Sequence, residues 1–189
     1  MNNPEQFLRS HIEKVVDLTD EEVAFIVSHF EVKKFRKGDF IIEEGNEVKD
    51  VYFVLSGLIK LVYEDKDARK HIVSFAMEDW WETDFQAFYT QSKAQLTLEC
   101  IEDTTVYSLS LENFEKLCSD LSKMERFFLR KSIAGHIGSQ QRILSFLTSN
   151  ARERYEQLLL KNSSLLQRVP KSSLASYLGV SRETLSRLF

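Results

Sequence analysis

The sequence predicts an α+β chain in which helices at both ends enclose an antiparallel barrel, sandwich or roll. Three observations carry that expectation. The apolar period changes from helical to strand-like at Glu31, and it returns to helical after Leu111. The C-terminal stretch KSSLASYLGVSRETLSRLF sets a small residue, a glycine, an apolar plug and a cap at fixed offsets, the pattern of a helix-turn-helix.

Residues 5–30 read as helix. Phe7, Leu8, Ile12, Val15 and Val16 recur at helical spacing, and a second helix restarts at LTDEEVAFIVSHF, where Thr19 or Asp20 is the expected N-cap. From Glu31 the chain becomes short β-branched and aromatic runs. They are broken at Lys37-Gly38-Asp39, Glu44-Gly45-Asn46, Ser56-Gly57 and Glu64-Asp65-Lys66-Asp67. Tyr52 and Val54 alternate with Val51, Phe53 and Leu55, so both faces of that strand are apolar and it should be central. LTLEC and TTVYSLS supply further strands near 96–100 and 104–110.

After Leu111 a long helical pattern carries Phe114, Leu117, Leu121, Met124, Phe127, Phe128, Ile133, Ile137 and Leu144. Ala134, Gly135, Gly138 and Ser139 cluster in its middle. Glycine costs about 1 kcal/mol in a helix interior, so two of them ask for an offsetting contact. The same helix of a second copy supplies one. The expected dimer contacts are Met124, Phe128, Gly135 and Gly138. The alternative is a helix lying on its own barrel, with the glycines as a kink.

In the C-terminal stretch, Leu174 and Leu178 form one i, i+4 pair, and Leu185 and Leu188 an i, i+3 pair; both should bury in one small core. Ala175 lets two helices cross closely. Gly179 stands where a left-handed backbone ends the first helix, Val180 plugs the turn, and Ser181 caps the second helix. Ser181 and that second helix's Arg182, Glu183, Ser186 and Arg187 are the candidate DNA contacts. In a helix-turn-helix such residues meet base edges in the major groove: arginine suits the two acceptors of guanine, and glutamate accepts from the cytosine amino group. Lys171 is a candidate phosphate contact. Without the surrounding frame, Glu183 and Arg187 would read as an ordinary i, i+4 surface pair.

Bulk properties agree. Apolar residues make up 43% and charged residues 29%, ordinary for a chain with a real core. No apolar run is long enough for a membrane span, and MNNPEQFLRSHIEKVVDL does not read as a signal peptide. Two cysteines outside any CxxC argue for a reducing cytoplasm and against a disulfide scaffold or a cysteine-held metal. Residues 151–189 hold seven basic and three acidic residues, net +4, while residues 1–150 carry net −8. An acidic body with a basic end suggests that only the C-terminal part meets a polyanion.

FRKGDFIIEEGNEVKDVYFVLSGLIKLV resembles the cyclic-nucleotide-binding-type β-roll, a double-stranded β-helix, of the Crp/Fnr family of bacterial transcription regulators, with Gly38, Gly45 and Gly57 at its turn glycines. Residues 120–148 resemble its long dimer helix and VSRETLSRLF its recognition helix; ARERYEQLL with the helix-turn-helix resembles most the branch common in Bacteroidetes-type bacteria. The resemblance implies three parts: N-terminal helices and sensor roll over 1–118, a dimerisation helix over 119–148, and a DNA-binding unit over 149–189 whose β-wing is absent from this chain. If the wing after Phe189 is genuinely absent from the protein, DNA affinity should be poor. Implied partners are a double-stranded DNA operator, a second copy of the chain, RNA polymerase and an unknown small-molecule effector, in the cytoplasm, with no membrane, metal or cofactor.

The ligand region departs from the cyclic-AMP-binding pattern. In EDWWETDFQAFYTQSKAQLTLEC, Trp81 replaces the glycine before Glu82, and no Arg-Ser pair follows; Lys93 is nearby but lacks the planar fork that clamps a phosphate. Trp80, Trp81, Glu82 and Lys93 are the candidate pocket, with the two tryptophans expected to fill and close it rather than line it. Two cysteines cannot hold an iron–sulfur cluster, and His11, His29, His71 and His136 are too scattered to specify haem. Two other classes compete. A metal-dependent enzyme on a β-roll needs two or three histidines plus a carboxylate, and only His71 lies among the strands. A small-molecule-binding or interaction module with little DNA binding would lack the basic residues of the last helix.

Overall fold

The computed structural model describes residues 3–188, with side chains described through Arg187. Two short helices open the chain: α1 (Pro4–Ile12), whose Asn3 side chain accepts from the Glu5 N–H, and α2 (Asp20–Val27), closed by a capping box between Thr19 and Glu22. Eight strands follow: β1 (Glu31–Phe35), β2 (Phe40–Ile42), β3 (Asp50–Ser56), β4 (Leu58–Glu64), β5 (Lys70–Met77), β6 (Trp81–Glu82), β7 (Thr97–Cys100) and β8 (Thr104–Ser110), with helix α3 (Phe85–Thr90) between β6 and β7. They form two antiparallel sheets of order β1-β8-β3-β6 and β2-β7-β4-β5, which face each other as a roll. β3 lies between β8 and β6, the interior place that its two apolar faces predict.

The pleat sorts the first sheet's side chains. Phe53 pairs with Tyr107 and Trp81, and this face meets α1 and the start of the long helix; Tyr52 pairs with Ser108 and Glu82 on the opposite, interior face. Gly57 joins β3 to β4 at φ 104°, and a Cβ there would lie 2.6 Å from the Asp103 carbonyl oxygen, so only glycine fits.

Beyond the roll run α4 (Leu111–Asp120), α5 (Ser122–Thr148), α6 (Ala151–Lys161), α7 (Ser163–Arg168), α8 (Lys171–Leu178) and α9 (Arg182–Leu188). Leu121 is extended and separates α4 from α5. α5 has two characters. Its first two turns bury Met124, Phe127 and Phe128 in the roll's main core, where Phe128 packs against Trp81 and Phe114. The sequence expectation sets Met124 and Phe128 against a second chain; they are committed to this one, because the aromatic face of the roll needs covering. Further along, Ile133, Ile137, Leu144 and Leu147 are exposed, and nothing lies within 4 Å of a Cβ built on Gly135 or Gly138. The first part of α5 thus lies on its own roll, and the second part leaves its apolar stripe open.

A second core joins the C-terminal helices to the outer face of the β2-β7-β4-β5 sheet: Leu58, Val62, Ile72 and Phe75 of the roll pack with Leu158, Leu174, Leu178 and Leu185.

Candidate nucleic-acid interface

Lys171 opens α8, which buries Leu174, Ala175 and Leu178 and ends at Gly179 with φ 71°. The Val180 N–H returns to the Ala175 carbonyl at 3.0 Å, closing the turn with the expected left-handed glycine. Ser181 Oγ accepts from the Thr184 N–H at 3.1 Å and so caps α9. Leu185 is buried beneath α9, while the side chain of Leu188 and all of Phe189 lie outside the described residues.

Arg182, Glu183, Ser186 and Arg187 are all exposed, as is Lys171. Among the described residues no ion pair joins Glu183 to Arg187, so the surface-pair alternative is not realised. The Glu183 carboxyl is held below its usual range by hydrogen bonds from its own backbone and Ser181, so it is an anion at neutral pH. α9 thus offers two exposed guanidinium groups, a carboxylate and a hydroxyl on a platform fixed from below.

Other basic residues of this end are engaged within the chain. Arg154 donates to the Leu178 carbonyl at 2.8 and 3.2 Å and to the Ser149 carbonyl at 2.6 Å. Arg142 of α5 donates to the Ile72 and Tyr177 carbonyls at 3.0 Å each and stacks on Tyr177 at 3.7 Å. The two arginines lie over the Phe146 ring, whose edge would be 2.9 Å from a Cβ at Gly179. Together they satisfy the last carbonyls of α8 and tie the helix-turn-helix to α5. Arg168 is neutralised by Glu78 and Glu102. Ser176 Oγ donates to the Lys70 carbonyl at 2.6 Å and accepts from the Ile72 N–H at 3.2 Å, covering the free edge of β5. The charge count over residues 151–189 takes Arg154 and Arg168 as part of a polyanion surface. Their partners lie up to 90 residues away, and no local spacing announces them.

The candidate pocket residues do not converge. Trp81 faces the helices, with its ring 4.9 Å from Phe53 and its Nε1 donating to His11 Nε2 at 3.0 Å. Trp80 is partly exposed, and Lys93 is exposed on an isolated bridge to Glu47. The tryptophans therefore do not plug the roll: the β6 pleat sends Trp81 outward and only Glu82 inward. Glu82 accepts from Ser74 Oγ at 2.5 Å and from the Thr83 N–H at 3.1 Å, and burial pushes its carboxyl up to about 7. On the other side of the strand, His11 is buried. Because Nε2 accepts from Trp81, Nδ1 carries the proton and donates to Asp79 at 2.5 Å. Burial and the Lys131 charge lower the His11 pKa to about 4 against the pull of Asp79. No sequence pattern marks the His11–Asp79 pair, because the two residues are 68 positions apart.

Comparison with known proteins agrees with this architecture. Residues 32–120 match the cyclic nucleotide-binding domain. The chain is 24% identical over 192 residues to the transcriptional regulatory protein btr of Bordetella pertussis, covering 95% of this chain and 74% of that one. It is 23% identical over 168 residues to the transcriptional activator protein Anr of Pseudomonas protegens, covering 83% and 68%. The fold is similar to FixK2 from Bradyrhizobium japonicum, with a TM-score of 0.74 at 20% identity over 84% of this chain and 82% of that one. Both relatives are named for the regulation of transcription. With a roll that matches the cyclic nucleotide-binding domain model, a long helix and a C-terminal helix-turn-helix in one chain, the protein is similar in sequence and architecture to Crp/Fnr-type regulators.

Proposed function

We propose that the chain is a homodimeric, sequence-specific DNA-binding regulator of transcription in which α9 reads base edges in the major groove. The carrying observation is the exposed set Arg182, Glu183, Ser186 and Arg187 on a helix whose capping and burial are complete without them. The exposed stripe of α5 supports the dimer. Ile133, Ile137, Gln140, Leu144 and Leu147 follow the 4-3-4-3 spacing of a two-helix seam, and the open space over Gly135 and Gly138 admits a close neighbour. Lys171, at the start of α8, is the phosphate contact. The domain limits 1–118, 119–148 and 149–189 are proposed as the functional division, although α5 itself begins at Ser122.

The roll is proposed as the sensor, with an effector other than cyclic AMP. Glu82 already has protein partners, and Lys93 is not brought beside it. The regulator would act in the cytoplasm, where its operator and RNA polymerase are.

In vitro selection from a random DNA pool tests the reading. The selected site should be two-fold related, with half-sites about 34 Å apart. Arg182→Ala and Arg187→Ala should each cost about 1–3 kcal/mol on that site and little on random DNA, whereas Lys171→Ala should weaken both alike. Unchanged operator affinity in both arginine variants would mean that α9 is a solvated face.

A further inference from the structure

The lysines of this chain divide by burial. Lys33, Lys60, Lys123 and Lys131 are partly buried, and the rest are exposed. Three of the partly buried ones are held by a carboxylate: Lys33 by Asp50 at 2.8 Å, Lys60 by Glu99 at 2.9 Å and Lys123 by Glu22 at 2.8 Å. Lys131 is the exception. Among the described residues its amine has no carboxylate partner and no hydrogen bond. Asp79, whose charge reaches it, is already taken by His11 Nδ1 and by Lys14. The Lys131 Nζ stands over the Phe127 ring, 5.5 Å from its centroid. A ring offers a cation its quadrupole, where a carboxylate offers a full charge.

An ammonium withdrawn from water without a counter-charge is driven toward the free amine. Burial lowers the Lys131 pKa below its ordinary value; the Asp79 charge opposes this and the Lys14 charge adds to it. At Lys33 burial pulls the same way, but the Asp50 contact outweighs it and the pKa is raised. The difference between the two lysines is the missing partner.

We propose that Lys131 is a modification site, a nucleophilic amine that takes an acyl group from a small acyl phosphate. The free amine attacks the carbonyl carbon. The N–C bond forms, the C–O bond to phosphorus breaks, inorganic phosphate leaves with the electron pair, and the nitrogen gives up its proton to water. Arg130, next in the chain, is exposed, and Lys14 lies close enough to act on the amine, so the surroundings favour an anionic donor. The product suits the place better than the ammonium does, because a neutral amide over Phe127 needs no counter-charge. Besides burial, the Lys131 charge holds the His11 pKa low, and acylation removes that charge. The inference goes beyond the regulator reading and stands without it.

The intact chain incubated with acetyl phosphate at pH 7.5, and followed by peptide mass spectrometry, tests it. Lys131 should acetylate on the order of fivefold faster than the exposed Lys34 and Lys171, since its rate follows its larger share of free amine. Its rate should also level off at a lower pH than theirs, which accessibility alone would not produce. Lys14→Gln removes the neighbouring cation and leaves Asp79 freer to act on Lys131, so it should slow Lys131 at least about twofold and leave Lys34 unchanged. A Lys131 that is unmodified or no faster than Lys34, a pH profile parallel to that of Lys34, or a rate indifferent to Lys14→Gln would each overturn the assignment.

Discussion

Glu82 and His11 lie on opposite faces of the β3–β6 pair and should oppose each other's effect on stability as pH falls. The Glu82 carboxyl rises from 4.5 to about 7 on folding, so its contribution is fully present below pH 4.5 and is lost as pH rises through 7. The His11 imidazole falls from 6.5 to about 4, so its contribution is present above pH 6.5 and is lost as pH falls through 4. A tenfold change in a proton-binding equilibrium corresponds to about 1.4 kcal/mol. Between pH 4.5 and 6.5 the folded chain keeps one proton on Glu82 that the unfolded chain has released, and lacks one on His11 that the unfolded chain has bound. The two slopes cancel. Glu82→Gln removes one of them. Relative to wild type, the variant should then lose about 1.4 kcal/mol per pH unit on acidification from 6.5 to 4.5, roughly 3 kcal/mol in all. His11→Gln, whose amide can still accept from Trp81 and donate to Asp79, should show the opposite slope. Urea unfolding followed by tryptophan fluorescence suits the measurement, because Trp80 and Trp81 are the only tryptophans and both belong to the roll. A Glu82→Gln profile parallel to wild type would refute the argument, since it would mean that this carboxyl titrates as it does in the unfolded chain.

Other outcomes follow from the same geometry. Gly138→Leu should drive the chain toward monomer in sedimentation, because a bulky side chain in the open patch would hold two α5 helices apart. Phe128→Ala should instead cost roughly 3–5 kcal/mol of folding stability, as a cavity beneath the roll, with the dimer constant of the folded fraction little changed. Calorimetric titration with cyclic AMP to millimolar concentration should give no saturable heat; a micromolar dissociation constant would show that the roll recruits a phosphate partner other than Lys93.

Much of this protein was legible in its sequence because the signals were local. The change of period at Glu31 and Leu111, the turns around Gly38, Gly45 and Gly57, and the Ala175–Gly179–Val180–Ser181 series each rest on backbone preferences acting over a few residues. So does the cap at Thr19, whose side chain and Glu22 need only each other. Pleat parity marked β3 as an interior strand from its two apolar faces alone.

Tertiary structure decided what those side chains face. Periodicity identified the stripe of α5 but could not divide it, and only the placement of Trp81 and Phe114 draws Met124 and Phe128 into their own chain while Ile137 and Leu147 stay outside. Adjacent tryptophans in sequence carry no mark of which face each takes; register against Phe53 sends Trp81 outward and leaves Glu82 to the interior. The basic count of the C-terminal end could not tell Arg168, spent on Glu78 and Glu102, from Arg182 and Arg187, which stand exposed on α9. The physical reason is common to all three. Secondary structure is set by hydrogen bonds and rotamers a few residues apart, whereas burial and charge pairing depend on neighbours that the chain brings together only after folding.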